Sequence, residues 1–273
     1  MCIRDRAWGE SVIVAVDQQG LIDPSALAVA AQGAALVAVQ YANNETGVRQ
    51  DLPALVAAVR AVAPQAWFLV DACQGIGKEP ISFATLGVDA LAFAGHKFGA
   101  PKGVGGLFVR TGLRLPPLVQ GGRQQQDRRS GTEDPALAAA CATALEHGCD
   151  QAERTRQREV LERLFAMLRS ALPEVIWLGQ SAPRLANTLS LLHPRVANEV
   201  LVQRLDLDGC AVSTGSACMA ARGQPSHVVA AMGVPAELAR SAIRVSIGPT
   251  TTAGDLEQFA AAYIRAVRAL AGG

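Results

Sequence analysis

The chain has 273 residues, half of them hydrophobic, and a formal net charge of +1 from interspersed acids and bases. That is enough apolar content for a large core and two domains, and no basic stripe or acidic tail points to nucleic acid or a membrane as main partner. No apolar stretch reaches the roughly 18 residues that mark a transmembrane helix.

Residues 1–6 carry charges with no apolar region after them, so they are not a signal peptide and read as an extraneous leader. Residues 11–16 read as a strand. Asp23 followed by Pro24 predicts an N-cap and a first helical position, with a helix to about Gln32. A second strand is expected over 35–41. Asp51 precedes a helix expected from Leu52 to about Ala63, with Pro64 beyond it. Residues 67–70 form a third predicted strand, ending at Asp71. A helical turn over 82–86 leads to a strand at 90–93, and another strand covers 104–110. Strands alternating with helices, and apolar on both faces, predict a mainly parallel sheet covered by helices, in an α/β arrangement.

A helical stretch runs from Pro135 to about Leu172 with a break near Gly148, and its Arg- and Glu-rich second half reads as a solvated face. Beyond it the pattern becomes a smaller α+β unit. Strands are expected at 175–178, 186–192, 211–213 and 242–247, and helices at 198–205, 226–232 and 252–270. The domain boundary is placed at 148/149, giving domains of residues 1–148 and 149–273.

In parallel sheets, chemistry gathers at the strand C-terminal ends. Three polar groups fall there: Asn43-Asn44-Glu45, then Asp71-Ala72-Cys73-Gln74, then His96-Lys97. Lys97 is one of only three lysines, with Lys78 and Lys102, against twenty-two arginines. An amine at a strand end can be desolvated, which favours Schiff-base chemistry; the alternative is an ordinary surface lysine in a turn. Asp71 alone could be a turn residue, and Asn43 an Asx turn. Arg244 lies in an apolar strand, where an unpaired guanidinium is costly, so a carboxylate partner is expected, from a ligand or a structural salt bridge.

Six cysteines occur: Cys2, Cys73, Cys141, Cys149, Cys210 and Cys218. None forms a C-x-x-C pair, and without a secretory signal reduced thiols in a cytoplasmic setting are expected. Cys73, Cys141 and Cys210 sit in apolar runs and read as small buried residues. Cys218 lies instead in a small, polar, Gly-containing segment between a strand and a helix, which reads as an exposed loop suited to a nucleophilic thiol. The cysteines and histidines lack metal-ligand spacing.

Six motifs in order resemble the cysteine desulfurases, in the class V group of pyridoxal-phosphate enzymes. They are Asn43-Asn44-Glu45-Thr46-Gly47, Val70-Asp71-Ala72-Cys73-Gln74-Gly75, Gly95-His96-Lys97, Arg129-Ser130-Gly131-Thr132, Ser213-Thr214-Gly215-Ser216-Ala217-Cys218 and Ile243-Arg244-Val245-Ser246-Ile247-Gly248. The resemblance implies the PLP-dependent transferase fold type I, with a large cofactor-binding domain and a smaller C-terminal domain. It implies that Lys97 holds pyridoxal 5'-phosphate as a Schiff base and that Asp71 pairs with the pyridinium nitrogen. Gln74 would bond the phenolic oxygen, Asn44 would contact cofactor and substrate, and His96 and Thr132 would donate to the phosphate. Thr132 usually reaches the partner subunit's cofactor in this family, which implies a homodimer. Arg244 would take the α-carboxylate of L-cysteine. Cys218 would receive the sulfur as a persulfide, releasing L-alanine, and pass it to an acceptor protein such as an iron–sulfur scaffold or into tRNA thiolation.

The pattern departs from the family in three places. Family members carry a further stretch ahead of the region matching Ser11, with a phosphate-binding turn and a histidine that stacks on the cofactor ring; here no histidine precedes Asn43, and the chain reads as N-terminally truncated. Ala94 stands where many relatives have a phosphate-donating serine. The chain stops at Gly273, just after a helix, where some relatives have a longer tail. The alternatives are another class V enzyme, such as an aminotransferase or selenocysteine lyase, and an inactive fragment.

Overall fold

The computed structural model describes residues 10–148, 150–215 and 225–272. Helix α1 spans Pro24–Ala31 and strand β1 Leu36–Gln40. Helix α2 is Leu52–Val62, β2 Trp67–Asp71, the short α3 Phe83–Leu86, β3 Ala90–Ala94 and β4 Gly105–Val109. Then come α4 at Pro135–Glu146 and α5 at Gln151–Ala171, the predicted helical stretch with its break around Gly148. Strands β5 (Ile176–Trp177) and β6 (Thr188–Leu192), helices α6 (Asn198–Leu207), α7 (His227–Ala231) and α8 (Ala236–Ala239), strand β7 (Ala242–Ser246) and helix α9 (Ala253–Ala271) complete the chain.

The chain divides into two compact units: residues 31–41 with 52–148, and residues up to 30 with 42–51 and those from 149 onward. Residues up to 30 and 42–51 thus group with the later half of the chain, whereas the sequence reading divides it once, at 148/149. The cause is local. Arg49 N donates to Pro183 O, Leu185 N donates to Gly47 O, and Val48 bridges Arg184.

In the first unit the sheet runs β1-β2-β3-β4, with β1, β2 and β3 parallel and β4 antiparallel to β3. Val37, Val39, Phe68, Val70 and Leu91 are buried, as are Leu52, Leu55, Val56 and Val59 of α2. Leu36, Trp67, Leu107 and Phe108 of the same sheet are exposed. An apolar run alone does not distinguish one buried face from two. Under the strands, Asp89 accepts from Phe68 N at 2.7 Å, Arg60 Nη2 at 2.6 Å and Arg110 Nε at 2.7 Å.

In the second unit β5, β6 and β7 form an antiparallel sheet. Its core joins Leu161, Leu164 and Leu168 of α5 with Leu189 and Leu191 of β6 and Phe259 and Tyr263 of α9. Helix α9, expected over 252–270, opens on a capping box of Thr252 with Asp255. Two expected strands are corrected. Residues 11–16 contribute one bridge, Val16 to Ile22, and Val12 and Ile13 are exposed; β-branched residues form a strand only where a partner is present. Residues 211–213 likewise contribute one bridge, Ser213 to Arg244. The architecture is a mostly parallel sheet with helices plus a smaller α+β unit.

Candidate functional site

Strand β3 runs into a tight turn, Gly95–Lys97. Gly95 N donates to Val104 O at 2.9 Å, and Phe98 N and Ala100 N both donate back to Gly95 O at 3.1 Å. A Cβ at Gly95 would meet Ala100 and Val104 at 3.0 Å, so any larger residue would have to push these neighbours aside. His96 and Lys97 are carried on it, and both are exposed. The desolvation expected for Lys97 is therefore corrected: the turn projects it out of the sheet rather than into the core.

Asp71 closes β2, level with Gln40 of β1 and Ala92 of β3. Its Oδ1 accepts from Cys73 N at 3.0 Å. Burial pushes the Cys73 thiol up to about 12; hydrogen bonding to Asp71 and its charge add to this, while Lys97 pulls the other way. Asp71, Cys73 and Lys97 therefore share one electrostatic neighbourhood, with the thiol neutral at pH 7. Cys73 is half-buried beside two charges rather than the simple core residue expected.

Residues 72–79 form a helical turn in which Ile76 N donates to Ala72 O and Glu79 N to Gly75 O. Two glycines allow it to pack closely. A Cβ at Gly75 would lie 2.5 Å from the Tyr41 ring, and one at Gly77, where φ is +76°, would lie 2.4 Å from Phe98 Cβ. Phe98 follows Lys97, so this contact ties the Gln74 turn to the lysine turn. On the turn, Lys78 Nζ donates to Gln74 Oε1 at 2.6 Å.

The second unit holds the other sequence-predicted groups. Asn43 Oδ1 accepts from Glu45 N at 2.8 Å and Thr46 N at 3.0 Å, the Asx turn its sequence allowed. Gly47, at φ +75°, packs against Thr188, where a Cβ would be 2.9 Å from Thr188 Cβ. Asn44 thereby sits on a fixed turn, and its carbonyl accepts from Arg244 Nη1 at 2.8 Å. Arg244 lies on β7 opposite Ser190 of β6 and also bridges Ser213. Among the described residues it has no carboxylate partner, and its buried Nε makes no hydrogen bond. The structural salt bridge allowed by its sequence is not the arrangement among the described residues.

Glu45 is buried; its Oε2 accepts from Ser226 Oγ at 2.6 Å, and Oε1 has no partner among the described residues. Arg184 holds the same turn, donating to Thr46 O at 2.7 Å, Thr188 O at 3.1 Å and Gly179 O at 2.9 Å. Sequence reading named Glu45 and Lys78 without giving either a role, and did not name Arg184. The signals were a charged residue inside a turn motif, a cation ahead of an apolar strand, and a lysine four positions after a candidate glutamine.

Thr132 is exposed in the loop before α4, near the Arg129 Nη1 bond to Gly131 O at 2.7 Å. Cys218 lies outside the described residues. The described residues thus bring Asp71, Gln74, His96 and Lys97 onto neighbouring turns of one unit and join Asn44 to Arg244 in the other. No cluster able to hold a metal occurs among the described residues, and none of their helices is long and apolar enough to cross a membrane.

The Aminotransferase class-V family profile matches residues 6–259. The chain belongs to the class-V aminotransferase family. Within it, the chain is 34% identical over 250 residues to the cysteine desulfurase IscS of Dictyoglomus turgidum, covering 90% of this chain and 63% of that one. It is 39% identical over 251 residues to a cysteine desulfurase of Rhodobacter capsulatus, with 90% and 63% covered. The chain thus spans about 63% of the length of these curated relatives. Among solved structures, a NifS-like protein superposes with a TM-score of 0.86 at 29% identity, covering 97% of this chain and 70% of that one. The NifS-like protein of Rickettsia africae gives 0.82 at 30% identity, covering 93% and 68%.

Proposed function

We propose that the protein is a pyridoxal-phosphate-dependent cysteine desulfurase. It converts L-cysteine to L-alanine and takes the sulfur onto Cys218 for delivery to an acceptor protein, serving iron–sulfur cluster assembly or tRNA thiolation. The observation that carries this reading is the placement of a carboxylate and a primary amine at neighbouring strand ends: Asp71 closes β2 level with Ala92 of the parallel β3, and Lys97 sits on the turn that follows β3. The desulfurase names of several relatives support it.

Within the first unit the side chains suit the cofactor: an amine and a carboxylate at neighbouring strand ends and an amide on the adjoining turn. When bound, pyridoxal phosphate supplies an electron sink for bond cleavage at an amino acid. Lys97 would hold it, and its amine would carry protons between the substrate's carbons. Asp71 keeps the ring nitrogen protonated, Gln74 donates to the phenolic oxygen, and His96 donates to the phosphate. Thr132 donates to the phosphate in the partner subunit of a homodimer. Asn44 contacts cofactor and substrate, and Arg244 takes the α-carboxylate. The Cys218 thiolate attacks the substrate's sulfur; the carbon–sulfur bond breaks, its electrons remain with the carbon that becomes the alanine methyl group, and Cys218 is left as a persulfide. The setting is cytoplasmic.

The test is the visible absorption spectrum of the purified protein with added pyridoxal phosphate, before and after L-cysteine. A Schiff-base band absent in Lys97→Ala and altered by cysteine is expected, with Cys218→Ala abolishing sulfur transfer to an acceptor. A Cys218→Ala variant that transfers sulfur at the unmodified rate overturns the desulfurase reading, and so does a band indifferent to cysteine.

A further inference from the structure

Of the chain's three lysines, Lys78 lies four residues after Gln74 and donates its Nζ to Gln74 Oε1 at 2.6 Å. The contact is made on the turn of residues 72–79, which is closed by the bonds from Ile76 N to Ala72 O and from Lys78 N and Glu79 N to Gly75 O and reverses at Gly77, where φ is +76°. Both side chains are half-buried. An ammonium group has three donors and no acceptor, so only the oxygen of the amide can face it. That settles which way the amide points. The carbonyl is committed to Lys78, and the NH2 group is directed elsewhere, with no other hydrogen bond to Gln74 among the described residues.

We propose that Lys78 is a positioning residue: it locks the Gln74 amide so that only N–H donors are presented to the cofactor's phenolic oxygen. This rests on the reading of Gln74 given above. Without the ammonium, either end of the amide can turn toward the cofactor, and the oxygen end would repel a phenolate. The charge on Lys78 also polarises the amide, strengthening the N–H donors at its far end. Lysine suits this place because its compact charge meets the amide at the oxygen alone, whereas an arginine presents a rigid fork of donors.

The sign of the effect follows. Donation to the phenolic oxygen favours the form in which that oxygen carries full negative charge. It therefore lowers the pH at which the Lys97 Schiff base loses its proton. Removing the donor raises that midpoint by about half a unit, the equivalent of one modest hydrogen bond.

The experiment is a spectrophotometric pH titration of the protein loaded with pyridoxal phosphate, for Lys78→Met, Lys78→Arg, Gln74→Leu and the Lys78→Met/Gln74→Leu double variant. Lys78→Met is expected to raise the midpoint, Gln74→Leu to raise it at least as far, the double variant to match Gln74→Leu alone, and Lys78→Arg to recover part of the shift. An unmoved midpoint in Lys78→Met beside a moved one in Gln74→Leu overturns the role of Lys78 and leaves that of Gln74 standing. If neither variant moves it, Gln74 does not donate to the phenolic oxygen and both statements fall. The side-chain 15N–1H2 resonances of Gln74, assigned by their loss in Gln74→Leu, report on the cofactor-free protein. Lys78→Met must shift them, and unshifted resonances overturn the proposal even if no Schiff-base band forms.

Discussion

The guanidinium of Arg184 lies 4.3 Å from the centre of the Trp177 ring, and it makes this contact without a carboxylate partner among the described residues. Three backbone carbonyls, of Thr46, Thr188 and Gly179, take its protons instead. Burial pushes the group down to about 10, so it is still charged at pH 7. The cation thus joins the turn that carries Asn44 to the strand that pairs with β7.

Replacing Arg184 by methionine keeps much of the apolar contact but leaves these carbonyls without their donor. Loss of charge-assisted bonds at a half-buried site is expected to cost about 2–4 kcal/mol. Arg184→Lys should recover less than half of this, since one ammonium cannot span three carbonyls and stack flat on the indole. Urea unfolding of the three proteins checks both values; an Arg184→Met protein as stable as the parent would show that the turn is held by its other contacts.

Asp89 gives a pH dependence with a definite sign. Burial opposes its ionisation, but the bonds from Arg60, Phe68 N and Arg110 outweigh it and hold the carboxyl below the usual range. A carboxyl depressed by folding stabilises the protein above its unfolded pKa, and that contribution fades as the pH falls through the folded value. Asp89→Asn is expected to cost about 3 kcal/mol at pH 7 by stranding Arg60 beside a neutral group. The gap in urea midpoints between Asp89→Asn and the parent should narrow below about pH 4. A gap that stays constant to pH 2 would mean that Asp89 contributes through shape rather than charge.

Much of this architecture was readable from the chain. The end of β2 at Asp71 and the turn carrying Lys97 after β3 follow from apolar runs that stop at polar or glycine residues, and the long helix α9 follows from its helical pattern. Contacts between distant segments were not readable. Arg184 and Thr46 are 138 positions apart, and no periodicity marks such a pair. Residues 11–16 show the opposite failure, because propensity suggests a strand but pairing decides it. Lys78 and Gln74 fall between these cases. Their spacing is visible, but the helical turn that makes it meaningful depends on Gly75 and Gly77 meeting Tyr41 and Phe98. Of the candidate site, the strand-end position of Asp71 follows from its apolar run, while the Asn44–Arg244 bond and the contacts of Arg184 join segments that nothing local in the sequence links.

Ser226 has two tasks. Its Oγ donates to Glu45 Oε2 at 2.6 Å and accepts from Val229 N at 3.2 Å as the N-cap of α7. Ser226→Ala removes both, at an expected cost of about 2–3 kcal/mol from a lost cap and a lost bond to a buried carboxylate. Ser226→Asp is a sharper control. It keeps a capping oxygen but sets a second carboxylate against Glu45, so it should be the less stable of the two at pH 7 and gain on the alanine variant as the pH falls toward 4. Thermal melts across that range decide it, and an aspartate variant that is the more stable at pH 7 would remove Glu45 from the account.

Gly77 and Gly99 both have positive φ, at +76° and +98°. They differ in what surrounds them. A Cβ at Gly77 would stand 2.4 Å from Phe98 Cβ, whereas nothing lies within 4 Å of one at Gly99. Alanine at Gly99 therefore meets only the left-handed backbone penalty, about 1–2 kcal/mol. Alanine at Gly77 meets that penalty and an overpacked contact worth about 1–3 kcal/mol more. The contact cannot relax privately, because Phe98 is bonded to Lys97 and the Gly77 turn carries Gln74 and Lys78. Gly77→Ala should therefore lower the melting temperature further than Gly99→Ala and also shift the Schiff-base absorption proposed for Lys97, which Gly99→Ala should disturb less. Equal losses of stability in the two variants would mean that Phe98 swings aside freely, and the packing of these two turns would not be what holds the lysine and the glutamine in register.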